Sequence, residues 1–175
     1  MIIGLSGYAR SGKDTVAGML MGLHGYDNRS FAKPIKDALY NLNPFVGPNL
    51  TVQHVVDANG WEASKVQYPE LRRLLQVFGT EIGREMFYED IWVDIAFKGI
   101  LPHHKIVFTD VRYENEANFI KVLEGQVWRI DRLGINAVNS HQSESSMDSY
   151  PFDKILHNSG TLDDLKHQIA VALLG

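Results

Sequence analysis

Residues 7–13, with the sequence GYARSGK, have the residue types and spacing of a phosphate-binding loop, G-x-x-x-x-G-K. An apolar run precedes this stretch and an amphipathic pattern follows it, which is the context such a loop requires. Glycines let the backbone wrap so that successive N–H groups point at phosphate oxygens, and the start of a helix adds its positive dipole end. The ammonium group of Lys13 is then placed to bridge the outer phosphates of a nucleotide.

Asp14 follows the lysine, at a position where the loop normally has a Ser or Thr whose hydroxyl binds Mg²⁺. A carboxylate is a hard oxygen ligand, so Asp14 is a candidate Mg²⁺ ligand, either directly or through water. The alternative is that Asp14 is only an acid favoured by the helix dipole. For the loop as a whole the alternative is a chance glycine-rich turn, and the order of strand, loop and helix argues against it.

Three cations further along the chain are candidates for binding the phosphate of an acceptor. Lys36 lies in the next predicted helix, where it either holds that phosphate or is a solvated helix lysine. Arg72 and Arg73 are adjacent helix residues that diverge by about 100°, so we expect one to pair with an acid and the other to reach a ligand. Arginine grips a phosphate bidentately; two surface arginines are the alternative.

A second polar segment, residues 109–112, follows another apolar run. Asp110 at that strand end is expected to act on the Mg²⁺ shell or on an acceptor group, and Arg112 to stabilise charge on the transferring phosphoryl group. Glu114 and Glu116 begin the next helix, and either is also explained as a first-turn acid. Because parallel strands place ligands at their carboxyl ends, we expect Gly7 and Asp110 to meet across one crevice.

Trp92, with Tyr88 and Phe87 nearby, is a candidate for stacking on or enclosing a base, although an aromatic at helical spacing is more often part of a core. The polar stretch 133–152 is predicted to be a long surface loop and a candidate lid that excludes water from the phosphoryl group. It contains His141, whose neighbours lack a metal-binding spacing, so we reject a zinc site. Two further arginines, Arg129 and Arg132, flank the start of this loop and are candidates for contacting the donor nucleotide.

The pattern of apolar residues places these side chains on alternating strands and helices. Strands are predicted at 1–6, 27–31, 105–110, 126–130 and 153–157. Helices are predicted from Lys13 to Gly25, from Pro34, near 51–58, from Pro69 to a break at Gly79, at 88–98, at 113–123 and after Thr161. Thr161 and Asp164 have the spacing of a capping box at the start of the last helix. Residues 43–60 are otherwise predicted to be irregular. The alternation predicts an α/β protein with a mostly parallel sheet.

Composition excludes several classes of protein. The 175 residues are 45% hydrophobic and carry 17 Lys and Arg against 21 Asp and Glu, which is typical of one globular domain and disfavours a nucleic-acid coat protein. Cysteine is absent, which excludes disulfide scaffolds and thiol catalysis. We see no membrane helix and no signal peptide, so we expect a cytoplasmic protein without a membrane or nucleic-acid partner.

Five motifs, in this order, resemble those of the bacteriophage deoxynucleoside monophosphate kinases. They are RSGKDT at 10–15, KPIKDAL at 33–39, RRLLQ at 72–76 with GTE at 79–81, WV at 92–93, and DVR at 110–112, with weaker similarity at Arg132, at His141 with Glu144, and in NSGTL at 158–162. The resemblance covers nearly the whole chain. It implies a three-layer α/β/α P-loop kinase fold, in a single domain 1–175 with a helical acceptor-binding region at about 34–100 and a lid-like loop at about 133–152.

The resemblance also implies roles for individual residues. The ATP-binding residues would be Arg10, Ser11, Gly12, Lys13, Asp14, Thr15 and Arg132, the last of them near the adenine. The acceptor-binding residues would be Lys36, Arg73, Gly79, Thr80, Trp92, Asp110, Arg112 and Glu116. Lys13, Arg73 and Arg112 would be catalytic, and Asp14 and Asp110 would hold Mg²⁺.

The implied activity is ATP- and Mg²⁺-dependent, in-line phosphorylation of deoxynucleoside 5′-monophosphates, in the host cytoplasm if the chain is phage-encoded. Two alternatives stay open. A dephospho-coenzyme A kinase or another small-molecule P-loop kinase shares the donor loop, and a non-catalytic nucleotide-sensing or assembly protein would bind ATP without an acceptor. The sequence does not decide between a monomer and a homodimer.

Overall fold

The computed structural model describes residues 1–135 and 146–174, and these divide into two compact units. The first unit comprises Met1–Ser30 and Gly99–Gly175, and the second comprises Phe31–Lys98. Within the described residues no helix is long and apolar enough to cross a bilayer.

The first unit contains a parallel sheet. Its described strands are β1 (Ile2–Ser6), β2 (Asp27–Arg29), β5 (Ile106–Phe108), β6 (Gln126–Asp131) and β7 (Lys154–His157), and they lie in the order β2-β5-β1-β6-β7. Each neighbouring pair is parallel. The prediction of a mostly parallel sheet is therefore confirmed, although β2 ends two residues earlier than predicted.

Helices cover both faces of this sheet. On one face α1 (Lys13–His24) and α7 (Leu162–Leu174) bury their apolar sides against Ile3, Leu5 and the neighbouring strands. On the other face lies α6 (Glu114–Val122), where Ile120 is so close to Gly4 that a Cβ on this glycine would lie 2.6 Å from it. Alternate residues of β1 therefore face different helices, as the twofold repeat of a strand requires. The expected three-layer α/β/α fold is confirmed.

The second unit is mainly helical. It contains α2 (Ala32–Leu42), strands β3 (Phe45–Gly47) and β4 (Leu50–Thr51), α3 (Val52–Gln67), α4 (Pro69–Val77), a π-helix (Phe78–Phe87) and α5 (Ile91–Phe97). A small core of Val46, Val52, Val55, Val56 and Leu71 holds the hairpin, α3 and α4 together.

Two sequence predictions in this unit were wrong. Residues 43–60 contain an antiparallel hairpin where an irregular chain was expected, although the helix predicted near 51–58 is present: it begins at Val52, and a second helical stretch follows the non-helical Gly60 as far as Gln67. Gly79 does not end the helix that begins at Pro69, because the backbone continues beyond it as the π-helix. The glycine signal failed since a packed side chain, described below, stabilises the continuation.

Candidate active site

The phosphate loop, residues 7–12, connects β1 to α1, and its shape depends on two glycines. Gly7 and Gly12 have φ angles of +135° and +104°, which residues other than glycine rarely adopt. A Cβ on Gly7 would lie 2.4 Å from the carbonyl oxygen of Ile130, and a Cβ on Gly12 would lie 2.1 Å from Nδ2 of Asn158. Both positions therefore require glycine, because of their backbone angles and because a Cβ would come too close to neighbouring atoms.

Lys13 folds back over the loop. Its Nζ donates to the carbonyl oxygens of Gly7, at 2.6 Å, and of Tyr8, at 2.8 Å. Ser11 is buried, and its hydroxyl lies against Gly7, so this side chain shapes the loop from inside. The exposed residues Arg10, Asp14 and Thr15 lie at the loop's outer surface and at the start of α1.

Asn158 supports the loop from the turn after β7. Its Nδ2 donates to the carbonyl oxygen of Ser11 at 2.8 Å, and its backbone N–H donates to the carbonyl oxygen of Asp131 at 2.7 Å. The hydroxyl of Ser159 accepts from the backbone N–H of Leu133 at 3.0 Å. The turn that begins at Asn158 is thus tied both to the phosphate loop and to the end of β6.

Two concave sites flank the loop within the first unit. A small cavity of about 30 Å³ is lined by residues 6–9 at the end of β1 and the start of the loop, by Lys13 and by Arg112, Arg129, Met147 and Asp148 among others. A larger cleft of about 430 Å³ is lined by Thr15, Arg132, Leu133, Asn158, Ser159, Gly160 and Leu162. The cleft falls within the size range of ordinary small-molecule sites, about 300–1,000 Å³.

The carboxyl end of β5 brings Asp110 and Arg112 to the same edge of the sheet as the loop. Asp110 Oδ2 accepts a hydrogen bond of 2.7 Å from the hydroxyl of Ser30. Glu116 is 3% exposed, and its Oε2 accepts from the backbone N–H groups of Arg112, at 2.8 Å, and Tyr113, at 3.2 Å. Of the two acids left open by the sequence, Glu116 therefore fixes the backbone that carries Arg112, while Glu114 is exposed.

A cluster of polar side chains connects the loop to the residues around Asp148. The hydroxyl of Tyr8 donates to Asp148 Oδ1 at 2.8 Å, and this hydrogen bond raises the pKa of Tyr8. Arg129 contacts the same carboxylate oxygen at 3.3 Å and donates through Nε to Asp131 Oδ1 at 2.8 Å. Burial opposes the charge on Arg129, but its hydrogen bonds to acids raise the pKa of the guanidinium overall.

In the second unit, Arg73 is exposed and forms a bidentate ion pair with Glu70, at 2.8 Å through Nε and 2.6 Å through Nη2. This pairing raises the pKa of Arg73 and lowers the pKa of Glu70. Lys36 is partly buried, 3.4 Å from Glu62 and 5.8 Å from the ring centre of Trp61. Both cations therefore have acidic partners within their own unit.

Trp92 is 5% exposed and packs against the π-helix. Its Nε1 donates to the carbonyl oxygen of Gly79 at 2.7 Å. A Cβ added to Gly83 would lie only 2.5 Å from the Trp92 ring, so the ring packs directly on this glycine. Thr80 is next to this anchored carbonyl and is half-buried. Tyr88 and Phe87 are exposed, so of these three aromatic residues Trp92 alone is buried.

Magnesium ligands were expected at Asp14 and Asp110. Within residues 1–135 and 146–174, no three His, Asp or Glu side chains are grouped closely enough to hold a metal ion. The donor chemistry nevertheless fits Mg²⁺, which is usually bound through one or two carboxylates, with phosphates and waters completing its shell. Residues 136–145 of the predicted lid, including His141, lie outside the described residues.

Comparisons with known proteins point to one family. The family model described as deoxynucleotide monophosphate kinase matches residues 51–169. A protein of Acanthamoeba polyphaga mimivirus named putative deoxynucleotide monophosphate kinase is 31% identical, over 97% of this chain and 94% of its own length. The deoxynucleoside-5′-monophosphate kinase of Escherichia phage T5 is 28% identical, over 74% of this chain but only 48% of its own length.

Among solved structures, shikimate kinase from Aquifex aeolicus is similar, with a TM-score of 0.49 and 15% identity over 100% of this chain and 97% of that one. The family evidence comes instead from the model match and from the near full-length mimivirus relative. Together they confirm the resemblance that the sequence motifs indicated, and with it the expectation of a kinase. The chain belongs to the deoxynucleotide monophosphate kinase family.

Proposed function

We propose that this chain transfers the γ-phosphoryl group of ATP directly, in line, to the 5′-phosphate of a deoxynucleoside monophosphate. The observation that carries the proposal is the strand, glycine-dependent loop and helix at residues 2–24, completed by Lys13, in a chain of this family. The mimivirus and phage relatives are named for this class of acceptor, which supports the choice of substrate.

The phosphate loop binds the donor phosphates, through Arg10, Ser11, Gly12, Lys13, Asp14 and Thr15. With a nucleotide bound, the ammonium group of Lys13 exchanges its bonds to loop carbonyls for bonds to phosphate oxygens. The charged nucleotide is a stronger acceptor than a neutral carbonyl, so the exchange is favourable. Lys13 then follows negative charge from the γ-phosphate to the leaving group.

The 430 Å³ cleft binds the nucleoside part of the donor. Its lining includes Thr15 from the start of α1 and Arg132 from the end of β6, and both were expected to contact ATP. The neighbouring cavity beside Lys13 lies on the side of the loop where the outer phosphates would be. Donor base and donor phosphates thus bind at separate sites, the phosphates at the loop and the base in the cleft between Thr15 and the turn after β7.

Residues of the second unit bind the acceptor, namely Lys36, Arg73, Gly79, Thr80 and Trp92. Arg73 presents a planar fork that already binds one carboxylate bidentately, and a phosphate has the same fork geometry. Since Trp92 is buried and bonded to Gly79, we assign it the task of fixing Gly79 and Thr80 for contact with the acceptor. The proposed acceptor region, residues 34–100, has nearly the same limits as the second unit.

Chemistry occurs at the edge of the sheet that carries Lys13, Asp110 and Arg112. An oxygen of the acceptor phosphate bonds to the γ-phosphorus while the bond from the γ-phosphorus to the β–γ bridging oxygen breaks, and ADP leaves. Arg112, whose backbone Glu116 fixes, neutralises charge on the transferring group. Bound Mg²⁺, held through Asp14 and Asp110, would supply further charge neutralisation.

The test is a panel of acceptors assayed with ATP, with and without Mg²⁺, by coupled detection of ADP. Deoxynucleoside monophosphates, ribonucleoside monophosphates and dephospho-coenzyme A are compared with a reaction lacking acceptor. We expect ADP to appear with one or more deoxynucleoside monophosphates and Mg²⁺, together with an equal amount of the deoxynucleoside diphosphate.

Other outcomes would contradict the proposal in distinct ways. Turnover with dephospho-coenzyme A alone would support the rival small-molecule kinase. ADP release without an acceptor would indicate an ATPase. Binding of ATP with no ADP release under any condition would support a nucleotide-sensing protein instead.

A further inference from the structure

Arg129 lies at the phosphate loop and has no role in the function proposed above. It stands on β6 directly opposite Ser6 of β1, the residue that precedes Gly7. Its side chain is 16% exposed and lines the same small cavity as Lys13 and Arg112. Three cations therefore surround a cavity whose volume, about 30 Å³, leaves space for little more than a water molecule.

The guanidinium of Arg129 is held in place from several directions. Its Nε donates to Asp131 Oδ1 at 2.8 Å. Its central carbon lies 5.3 Å from the ring centre of Tyr8 and 5.6 Å from that of Phe152, distances at which a guanidinium is attracted to an aromatic ring. The group is thus fixed before any ligand arrives, as binding a phosphate requires.

Asp148 is the weaker of the two acidic partners of Arg129. The Nη1 to Oδ1 distance is 3.3 Å, against 2.8 Å for the contact with Asp131, and charge-assisted hydrogen bonds are normally 2.7–2.9 Å. The side chain of Asp148 is 41% exposed, so it can move into solvent at little cost. Its carboxylate also accepts from Tyr8, which keeps it at the rim of the cavity.

We infer that Arg129 is a third phosphate-binding cation of this site, and that Asp148 is the counter-ion which a nucleotide phosphate displaces. This inference rests on the proposed binding of ATP at the loop. A phosphate carries more charge than a carboxylate and offers more acceptor oxygens, so it competes effectively for the fork of Arg129. The small size of the cavity agrees, because a phosphate fits only after the weakly held carboxylate has left.

Removing the charge of Arg129 and removing the charge of Asp148 should therefore have opposite effects on the affinity for phosphate. Arg129→Met is expected to weaken binding of inorganic tripolyphosphate and of ATP by about 10- to 100-fold, the range for a lost charged hydrogen bond. Asp148→Asn is expected to tighten both by about 2- to 5-fold, the scale of a partly exposed ion pair. Isothermal titration calorimetry without acceptor measures both affinities in the absence of turnover.

Matched controls separate a local effect from a change in net charge. Lys166→Met and Asp163→Asn remove the same charges from an exposed pair on α7, and they should leave both affinities unchanged. Arg129→Lys keeps the charge and the aliphatic stem but loses the fork. It should bind tripolyphosphate with intermediate affinity, and it keeps the test decisive if Arg129→Met does not fold.

A purely structural ion pair gives a different pattern. Both Arg129→Met and Asp148→Asn would then lower the Tm while changing the affinities in the same direction or not at all, and this outcome overturns the inference. If the unaltered protein binds tripolyphosphate and ATP but Arg129→Met loses nothing, only the inference fails. If the unaltered protein binds neither probe, the proposed function and the inference fail together.

Discussion

The phosphate loop and the π-helix both hold backbone polar groups outside regular strand or helix bonding, and they do so by different means. In the loop, Gly7 and Gly12 adopt backbone angles that favour glycine, and Asn158 binds the carbonyl oxygen of Ser11. In the π-helix, the carbonyl oxygen of Gly79 bonds to the indole N–H of Trp92, a side chain on the next helix. The loop is thus shaped mainly by its own residues, and the π-helix by a residue outside it.

This difference determines how each region should respond to substitution. Changes in the loop should alter binding of the donor or the rate of transfer while leaving the second unit stable. Changes at the packing of Trp92 should first lower the stability of the π-helix and, through Gly79 and Thr80, alter binding of the acceptor. Kinetic constants for the two substrates, measured together with Tm, separate these effects.

The largest effect is expected for Lys13→Ala. Loss of a cation that contacts the transferring phosphoryl group should lower kcat by roughly 10³-fold or more, on the scale known for arginine fingers. Because the Lys13 ammonium donates to the carbonyl oxygens of Gly7 and Tyr8 within the loop itself, the Tm should change little. Full retained activity in this variant would remove the phosphate-loop hypothesis.

Gly83→Ala should destabilise the π-helix. A Cβ there would lie 2.5 Å from the Trp92 ring, and overpacking of this kind costs about 1–3 kcal/mol. The matched control is Gly18→Ala, also within a helix, where a Cβ would meet nothing within 4 Å. That control should raise stability by roughly 0.5–1 kcal/mol. Equal effects of the two substitutions on chemical denaturation would contradict the packing described for Trp92.

Trp92→Phe keeps an aromatic ring at this position but removes the indole N–H. The carbonyl oxygen of Gly79 would lose its partner, at a cost of about 1–3 kcal/mol if it stays buried. We expect the KM for the acceptor to rise several-fold while the KM for ATP stays the same. An unchanged acceptor KM would show that Gly79 and Thr80 do not depend on this anchor.

Asn158→Ala should have the smallest effect of the four. It removes one hydrogen bond to the carbonyl oxygen of Ser11, typically worth about 0.5–1.5 kcal/mol. The KM for ATP should rise by a factor of about 2–10 and the acceptor KM should not change. A larger rise in the acceptor KM than in the ATP KM would contradict the assignment of Asn158 to the donor side.

Local signals in the sequence were sufficient for the first strand, loop and helix of the first unit and for the cap of its last helix. The apolar run before Gly7, the glycine spacing and the helical pattern after Lys13 predicted the strand, loop and helix found at residues 2–24. The cap at Thr161 and Asp164 was also predicted, and each of these residues accepts a hydrogen bond from the backbone N–H of the other. Such features are encoded by residues close together in the chain.

The π-helix could not be predicted in this way. Gly79 has the sequence signal of a helix end. The backbone nevertheless stays helical, because Trp92, thirteen residues later, packs against Gly83 and donates a hydrogen bond to the carbonyl oxygen of Gly79. The hairpin β3–β4 was missed because its strands have only three and two residues. The contribution of Asn158 to the loop was missed for a related reason, since its partner is 147 residues away.

That last separation has a consequence for how the protein is made. Contacts between residues far apart in sequence form late, because the chain between them must first be ordered. While a ribosome is still adding residues before 158, the growing chain carries every residue of the loop but lacks the amide that holds Ser11. Nucleotide is therefore bound in the final geometry only after β7 has emerged and joined the sheet, so growing chains that end before β7 do not gain the stabilisation that ligand provides.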